Sequence, residues 1–285
     1  MIDGILFPSD YFDRKIIDQE LEKEYEAAIE CQKYEHIFLF SYEQWFHHGR
    51  LVLNETPDKS VTLIYRGWMM LPEQYESFYY ALKENGINLL TSPEEYARFH
   101  IVPNIYEVIK EDTPKTLIFP EGTKVDLGMI KREFDRFMVK DYVKSVKGSD
   151  FPIYIESGIE EAEFELLMEK FLKYRGGLFT GGICIKEYVS LKKYGDVKNE
   201  YRVFYANGEI LTVSRNSGQP DYAPAPPTEL VQKYGGLDSK FYTVDYAELE
   251  CGKWIVIEAG DGGVSGLSDF QNQTEFYRKL YYALS

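Results

Sequence analysis

Asp245 and Glu258 are the residues whose type and spacing most directly suggest chemistry. Asp245 lies in Tyr242-Thr-Val-Asp-Tyr246 and Glu258 in Trp254-Ile-Val-Ile-Glu-Ala-Gly-Asp-Gly-Gly263, two apolar runs that each read as a buried strand delivering one carboxylate. The short connection Glu250-Cys-Gly-Lys253 lets the strands pair as a hairpin, which sets the acids on adjacent strands beside a glycine-rich loop. Two carboxylates converging there suit Mg²⁺, a hard cation that takes oxygen ligands and is often shared with substrate phosphates. The alternative is a pair of ordinary strand-end acids.

Cations that could face a polyphosphate lie upstream. Phe137-Met-Val-Lys140 is an apolar strand ending in a lysine, and the loop after it carries Lys144, Lys147 and Gly148. Ammonium groups and exposed backbone N–H groups in such a loop suit an anionic ligand. Gly182-Ile-Cys-Ile is a further apolar strand ending in Lys186-Glu187, followed by Tyr188-Val189. Residues 199–216 then read as two strands around Asn207-Gly208, a strong hairpin signal, with Glu200 and Arg202 on the first and Arg215-Asn216 ending the second. Arg215 and Asn216 follow a strand expected to run toward the same cleft as these cations.

In this order the segments resemble the ATP-grasp superfamily, over about residues 135–270. The resemblance implies ATP held between two α+β lobes and the joining of a carboxylate to an amine through an acyl-phosphate, with release of ADP and phosphate. It implies that Lys140 is a phosphate lysine and that Lys144 to Gly148 form a phosphate-covering loop. Glu187, Tyr188 and Val189 would be the hinge that binds adenine through backbone groups, with Lys186 near the phosphates. Glu200 would contact ribose and Arg202 would reach phosphate or the acyl-phosphate. Asp245 and Glu258 match the paired metal ligands. Where many members have Glu-x-Asn, this chain has Glu258-Ala-Gly260, and Asp261 stands one position on as a replacement third ligand. Tyr65-Arg-Gly-Trp68 and Glu258-Ala-Gly-Asp-Gly-Gly-Val-Ser-Gly266 are similar to a divergent, peptide-ligase-like clade with an N-terminal pre-ATP-grasp α/β domain, which extends the likeness over nearly the whole chain.

The elements ahead of these segments alternate strand and helix. Ile5-Leu-Phe7, Ile37 to Phe40, Val61 to Tyr65 and Ile87 to Leu90 read as strands. Helices are expected over Arg14 to Gln32, with Ile17, Leu21, Tyr25, Ala28 and Ile29 on one side, over Pro72 to Glu84, and after Ser92-Pro93. This alternation predicts a doubly wound, mostly parallel sheet. Glu111 to Lys124 reads as the passage to a second domain, giving 1–120 and 121–285, the latter with a small lobe at about 135–195 and a C-terminal lobe at about 196–285. Helices are also expected over Ile159 to Tyr174 and Gln271 to Leu284, with a proline-rich loop at Pro220 to Pro227. The fold class expected is therefore α/β followed by α+β.

Arg66 follows a buried strand, where ligands approach open α/β sheets, and could bind a substrate carboxylate bidentately; a structural interdomain salt bridge is the competing reading. His100, at the end of the helix after Ser92, could line the same cleft or serve as a surface group. His47-His48 reads as an exposed loop rather than a metal pair, because adjacent side chains diverge.

A net charge of −15 over 285 residues argues against nucleic acid and membrane surfaces, and the local lysines favour a small anionic ligand. Cys31, Cys184 and Cys251 have no C-x-x-C pairing, so neither a disulfide framework nor structural zinc is expected. The chain has no apolar run of membrane-span length and a Met-Ile-Asp-Gly start without a basic signal, from which a cytoplasmic location is expected. An amino acid, peptide or protein terminus is the expected substrate, with ATP and Mg²⁺ as cofactors. Two other functions stay open at this point. One is an RNA-ligase-like nucleotidyltransferase with Lys140 as nucleophile, although Lys140-Asp-Tyr-Val143 departs from Lys-x-Asp-Gly. The other is a catalytically weak nucleotide sensor.

Overall fold

The computed structural model describes residues 2–146 and 148–285. Its first sheet contains β1 (Gly4–Pro8), β2 (His36–Phe40), β3 (Val61–Tyr65) and β4 (Ile87–Leu89), all parallel in the order β2-β1-β3-β4. These strands are apolar at nearly every position because both faces are covered. On one face Ile5, Phe7, Leu39 and Ile64 pack with Ala27 and Ala28 of α1 (Glu22–Glu30). On the other, Leu6, Phe38, Phe40 and Leu63 pack with Trp45 of α2 (Tyr42–His48) and Phe78 of α3 (Pro72–Glu84). This is the doubly wound arrangement expected from the alternation. α4 (Pro93–His100) begins at a capping box in which Ser92 N–H donates to Glu95 Oε2 at 2.7 Å and Glu95 N–H to Ser92 Oγ at 3.2 Å. α5 (Val102–Ile109) follows directly.

The second sheet is antiparallel, in the order β5-β8-β6-β7. Its strands are β5 (Thr116–Pro120), β6 (Arg136–Asp141), β7 (Ile155–Glu156) and β8 (Gly182–Glu187). Phe137, Val139, Ile183 and Ile185 bury one face against α6 (Leu127–Glu133) and α7 (Glu161–Arg175). Alternation therefore turns Lys140 and Lys186 to the opposite face.

After the short hairpin of β9 (Lys193–Tyr194) and β10 (Val197–Lys198), the third sheet runs antiparallel as β12-β11-β13-β14. Its strands are β11 (Glu200–Ala206), β12 (Glu209–Arg215), β13 (Phe241–Glu248) and β14 (Trp254–Asp261). Val203, Tyr205, Val244 and Tyr246 pack under α8 (Thr228–Lys233) and against Phe99 and Ile105. Phe204 and Phe241, on the other face, share a core with α1 and with Phe276 and Leu280 of α9 (Gln273–Leu284). The first and third sheets are thus joined through one hydrophobic core. Among the described residues no helix is long and apolar enough to cross a membrane.

Several local expectations are corrected. The helix expected over Arg14 to Gln32 starts later, because Asp13 and Asp18 accept from the N–H groups of Lys15 and Glu20, both at 2.9 Å, and Ile17 bridges Ser9. Ile29, expected on its apolar side, is exposed. His47 and His48 belong to the last turn of α2, capped by Ser41 and closed by Gly49 at φ +62°, rather than to a loop. The passage expected over 111–124 contains β5, which pairs along its whole length with β8, so the second sheet starts ahead of residue 121.

Candidate active site

The hairpin of β13 and β14 places Asp245 directly opposite Glu258, and β11 places Arg202 directly opposite Asp245. Three charged side chains therefore form a row across three neighbouring strands. The ladder slips by one residue at this point: Tyr246 pairs with Val256 but Asp245 with Glu258, so Ile257 is extra. In a regular ladder Asp245 would face Ile257 and Glu258 would leave the opposite side of the sheet; the bulge re-aims it. The Ile257 carbonyl accepts from Lys186 Nζ at 2.5 Å, a direct bond between the second and third sheets. Arg202 grips Asp245 bidentately, Nε to Oδ1 at 2.8 Å and Nη2 to Oδ2 at 2.7 Å. Burial alone would lower the guanidinium pKa, but Asp245 outweighs it and raises it.

A cavity of about 760 Å³ opens in front of this row, lined by Lys140, Lys144, Arg202, Asp245, Glu258 and His100 among others. Lys140 is buried and makes no ion pair among the described residues. Lys186 sits next to it in an adjoining cavity of about 20 Å³ that Lys140 and Glu258 also line. Burial and the neighbouring Lys140 ammonium lower Lys186 to about 8. The loop after β6 is shaped by buried Asp141, whose Oδ1 accepts from the N–H groups of Val143 at 2.8 Å and Lys144 at 2.7 Å. Asp141 Oδ2 is held by Arg175 Nε at 2.6 Å, so the end of α7 supports that loop. Lys147 lies outside the described residues.

His100 faces the cavity and stacks on Tyr96 with ring centroids 4.8 Å apart. Burial, with Lys144 and Lys140 close by, lowers its pKa from 6.5 to about 4. Between those two values the unfolded chain binds a proton that the folded chain does not, so stability falls as pH drops through this window. His100→Gln should flatten the dependence of unfolding free energy on pH there, by at most about 1.4 kcal/mol per pH unit. Urea unfolding across that range is the measurement, and an unchanged slope would mean that the imidazole titrates normally.

Other expected site residues are engaged within the protein or stand outside the main cavity. Arg66 borders a smaller adjoining cavity, but it is 2% exposed and its donors are taken by Glu24, Tyr277 and the carbonyls of Gly262 and Ser265, which supports the structural tie over the substrate clamp. Asp261, expected as a third metal ligand, borders the same cavity as Asp245 and Glu258, but three positions past Glu258 its side chain leaves the other side of β14. It is buried, accepts from Gly263 N–H at 2.8 Å, and burial pushes its carboxyl up to about 7. Among the described residues no group of three His, Cys, Asp or Glu side chains could hold a metal. Arg215 pairs with Tyr201, one residue from Arg202 and so on the opposite face, and its guanidinium stacks 4.0 Å over Phe270. Asn216 Nδ2 donates to Glu200 Oε2 at 3.2 Å. Arg215, Asn216 and Glu200 are not among the described residues lining the main cavity. Nor is the segment Glu187 to Val189: Glu187 and Tyr188 donate their N–H groups to the carbonyls of Lys115 and Arg136, and the Tyr188 ring packs at a tilt against Tyr154 with centroids 4.5 Å apart.

The sequence reading missed Thr243 and Ser265, which line the cavity, and the Asp141–Arg175 pair behind it. Thr243 carried a signal, since it precedes Asp245 by two residues on the same strand. The turn after β14 presses on the first sheet: a Cβ at Gly263 would lie 2.7 Å from the Tyr65 carbonyl oxygen, and Gly67 N–H donates to the Gly263 carbonyl at 3.0 Å.

Residues 127–280, more than half of the chain, match a family model described as an ATP-grasp domain, the third family of its clade. No curated protein sequence matches. Among solved structures, the ATP-grasp ligase PsnB complexed with a phosphomimetic variant of its minimal precursor, Mg and ADP is similar, at 11% identity and TM-score 0.60 over 99% of both chains. The D-cycloserine synthetase DcsG is similar at 13% identity and TM-score 0.61, covering 99% of this chain and 100% of that one. The D-alanine–D-alanine ligase of Bacillus anthracis is similar at 12% identity and TM-score 0.59, covering 99% and 94%. At these identities the likeness is one of fold. With its row of cation and carboxylates facing a cavity between the second and third sheets, and with its sequence matching the family model, the chain belongs to the ATP-grasp proteins, in the third family of that clade.

Proposed function

We propose that this protein is an ATP-dependent carboxylate–amine ligase that uses Mg-ATP and acts through an acyl-phosphate on an amino acid, peptide or protein terminus in the cytoplasm. The observation that carries the reading is the convergence of Lys140, Lys144 and Arg202 on one cavity with Asp245 and Glu258. The donor set fits magnesium, which is bound through one or two carboxylates and otherwise keeps waters and phosphate oxygens. When bound, Mg-ATP supplies the phosphoryl group and part of the charge neutralisation. Asp245 and Glu258 would hold the metal, with Arg202 fixing the orientation of Asp245. Lys140, Lys144 and Lys186 would hold the phosphates, since phosphoryl transfer is catalysed chiefly by positioning and charge stabilisation. The hinge Glu187 to Val189 would receive the adenine edge and Glu200 the ribose, while the ATP-grasp unit would begin with β5 after an N-terminal α/β unit.

A second cavity of about 450 Å³ adjoins the first through Met69, Lys144, Val264 and Ser265, and is bounded by Tyr42 and Trp68 from the N-terminal part of the chain. The accepting or donating substrate would lie there, close to the phosphate end.

An ADP-release screen of carboxylate and amine pairs, read by mass for a product lighter than its two reactants by one water, tests the proposal. Lys140→Ala should lower turnover by about 10²–10³-fold, the loss expected for a charge-stabilising group at a reacting centre. Release of AMP and pyrophosphate would instead favour adenylation of Lys140. Nucleotide binding without turnover on any pair would favour a sensor.

A further inference from the structure

Thr243 and Ser265 line the main cavity, and the function proposed above does not use them. Thr243 precedes Asp245 by two residues on β13, so both side chains leave one face of the sheet. Its cross-strand partner is Gly260, just as Glu258 is the partner of Asp245. Thr243 Oγ1 and Ser265 Oγ lie 2.9 Å apart, and both residues are buried.

The hydroxyl protons follow from the hydrogen bonds. Ser265 Oγ donates to the Asp261 carbonyl at 2.7 Å, which uses its single proton. Thr243 Oγ1 then donates to Ser265 Oγ, the nearer acceptor, because the Gly260 carbonyl lies at 3.4 Å. Both protons are then used within the protein, so neither hydroxyl has one left to donate and each can only accept a further hydrogen bond. A surface that only accepts suits a cation or its water shell and disfavours a phosphate oxygen. Gly260 makes room for this arrangement. A Cβ there would lie 3.2 Å from Thr243 Oγ1 and 3.4 Å from Ser265 Oγ, so a side chain at 260 would press directly on the hydroxyl pair.

We infer that Thr243 and Ser265 are positioning residues of the magnesium site, accepting hydrogen bonds from the hydrated cation held by Asp245 and Glu258, in the space left by Gly260. The inference rests on the Mg-nucleotide reading of the cavity. Partners of this kind, one step removed from the metal, typically change metal affinity by about 10–100-fold when removed.

The test is titration of the full chain with Mn²⁺ in the presence of ADP, followed by electron paramagnetic resonance, with ADP binding measured separately without metal. Thr243→Val and Ser265→Ala should each raise the Mn²⁺ dissociation constant by about tenfold. Thr243→Ser, which keeps the hydroxyl, should stay near wild type, and metal-free ADP affinity should not move in any variant. Unchanged Mn²⁺ affinity in both Thr243→Val and Ser265→Ala would overturn the inference and leave the ligase reading standing. A wild-type protein that binds no Mn²⁺ with ADP would overturn both. If Thr243→Val fails to fold, Ser265→Ala alone decides.

Discussion

Glu258→Gln is expected to reduce magnesium-dependent ADP release by about a thousandfold or more, which corresponds to about 4 kcal/mol of transition-state stabilisation. The amide keeps the shape of the side chain and its place opposite Asp245, but removes one of the two negative charges in the row. Arg202 already neutralises Asp245 through two hydrogen bonds, so Glu258 carries a large share of the remaining attraction for a divalent cation. Nucleotide binding measured without metal should persist in the variant. Turnover within tenfold of wild type at saturating magnesium would remove Glu258 from the metal site and with it the reading of the cavity.

The second large effect is on stability. Arg66→Met is expected to destabilise the protein by about 3–5 kcal/mol, the loss typical of breaking a buried ion pair from one side. Arg66 Nη2 lies 2.6 Å from Glu24 Oε2, with the two side chains 2% and 9% exposed, and Tyr277 Oη donates to the same oxygen at 2.6 Å. Arg66 Nη1 also donates to the Ser265 carbonyl at 2.9 Å, which ties β3, α1, α9 and the turn after β14 together. Without the guanidinium, the Glu24 charge stays buried and uncompensated. The double change Glu24→Gln with Arg66→Met should recover a substantial part of the loss, since no unpaired charge is then left behind. By contrast, disrupting Arg278–Glu275, a pair more than 40% exposed on both sides, should cost about 0.5 kcal/mol or less. Urea unfolding measures all three, and a loss below about 1 kcal/mol in Arg66→Met would show that the charge network is not what joins these elements.

Arg66 also shows where sequence reading stops. Its position after an apolar strand is equally compatible with a ligand clamp and an interdomain tie. The deciding partners lie 42, 196, 199 and 211 positions away along the chain. Arg175, which steadies the loop after β6 through Asp141, gave no local signal for the same reason. Arg215 misled because it ends a strand that does run toward the site, while alternation turns its side chain away from Arg202.

What the sequence determined by itself was the local chemistry: the apolar strands of the parallel sheet, the Ser92 cap, the Asn207-Gly208 hairpin, and the placement of Asp245 and Glu258 on neighbouring strands. Those features follow from periodicity, capping and turn preference, which act over a few residues. The tertiary structure alone decided which face each acid occupies. The extra residue Ile257 brings Glu258 to the side of Asp245, and the bulge carbonyl is taken up by Lys186 from another sheet. It also turned the Asp261 side chain to the other side of β14 and set two hydroxyls beside Gly260. A one-residue slip inverts every side chain beyond it, and whether a slip is favourable depends on the packing and hydrogen bonds of elements far apart in the chain.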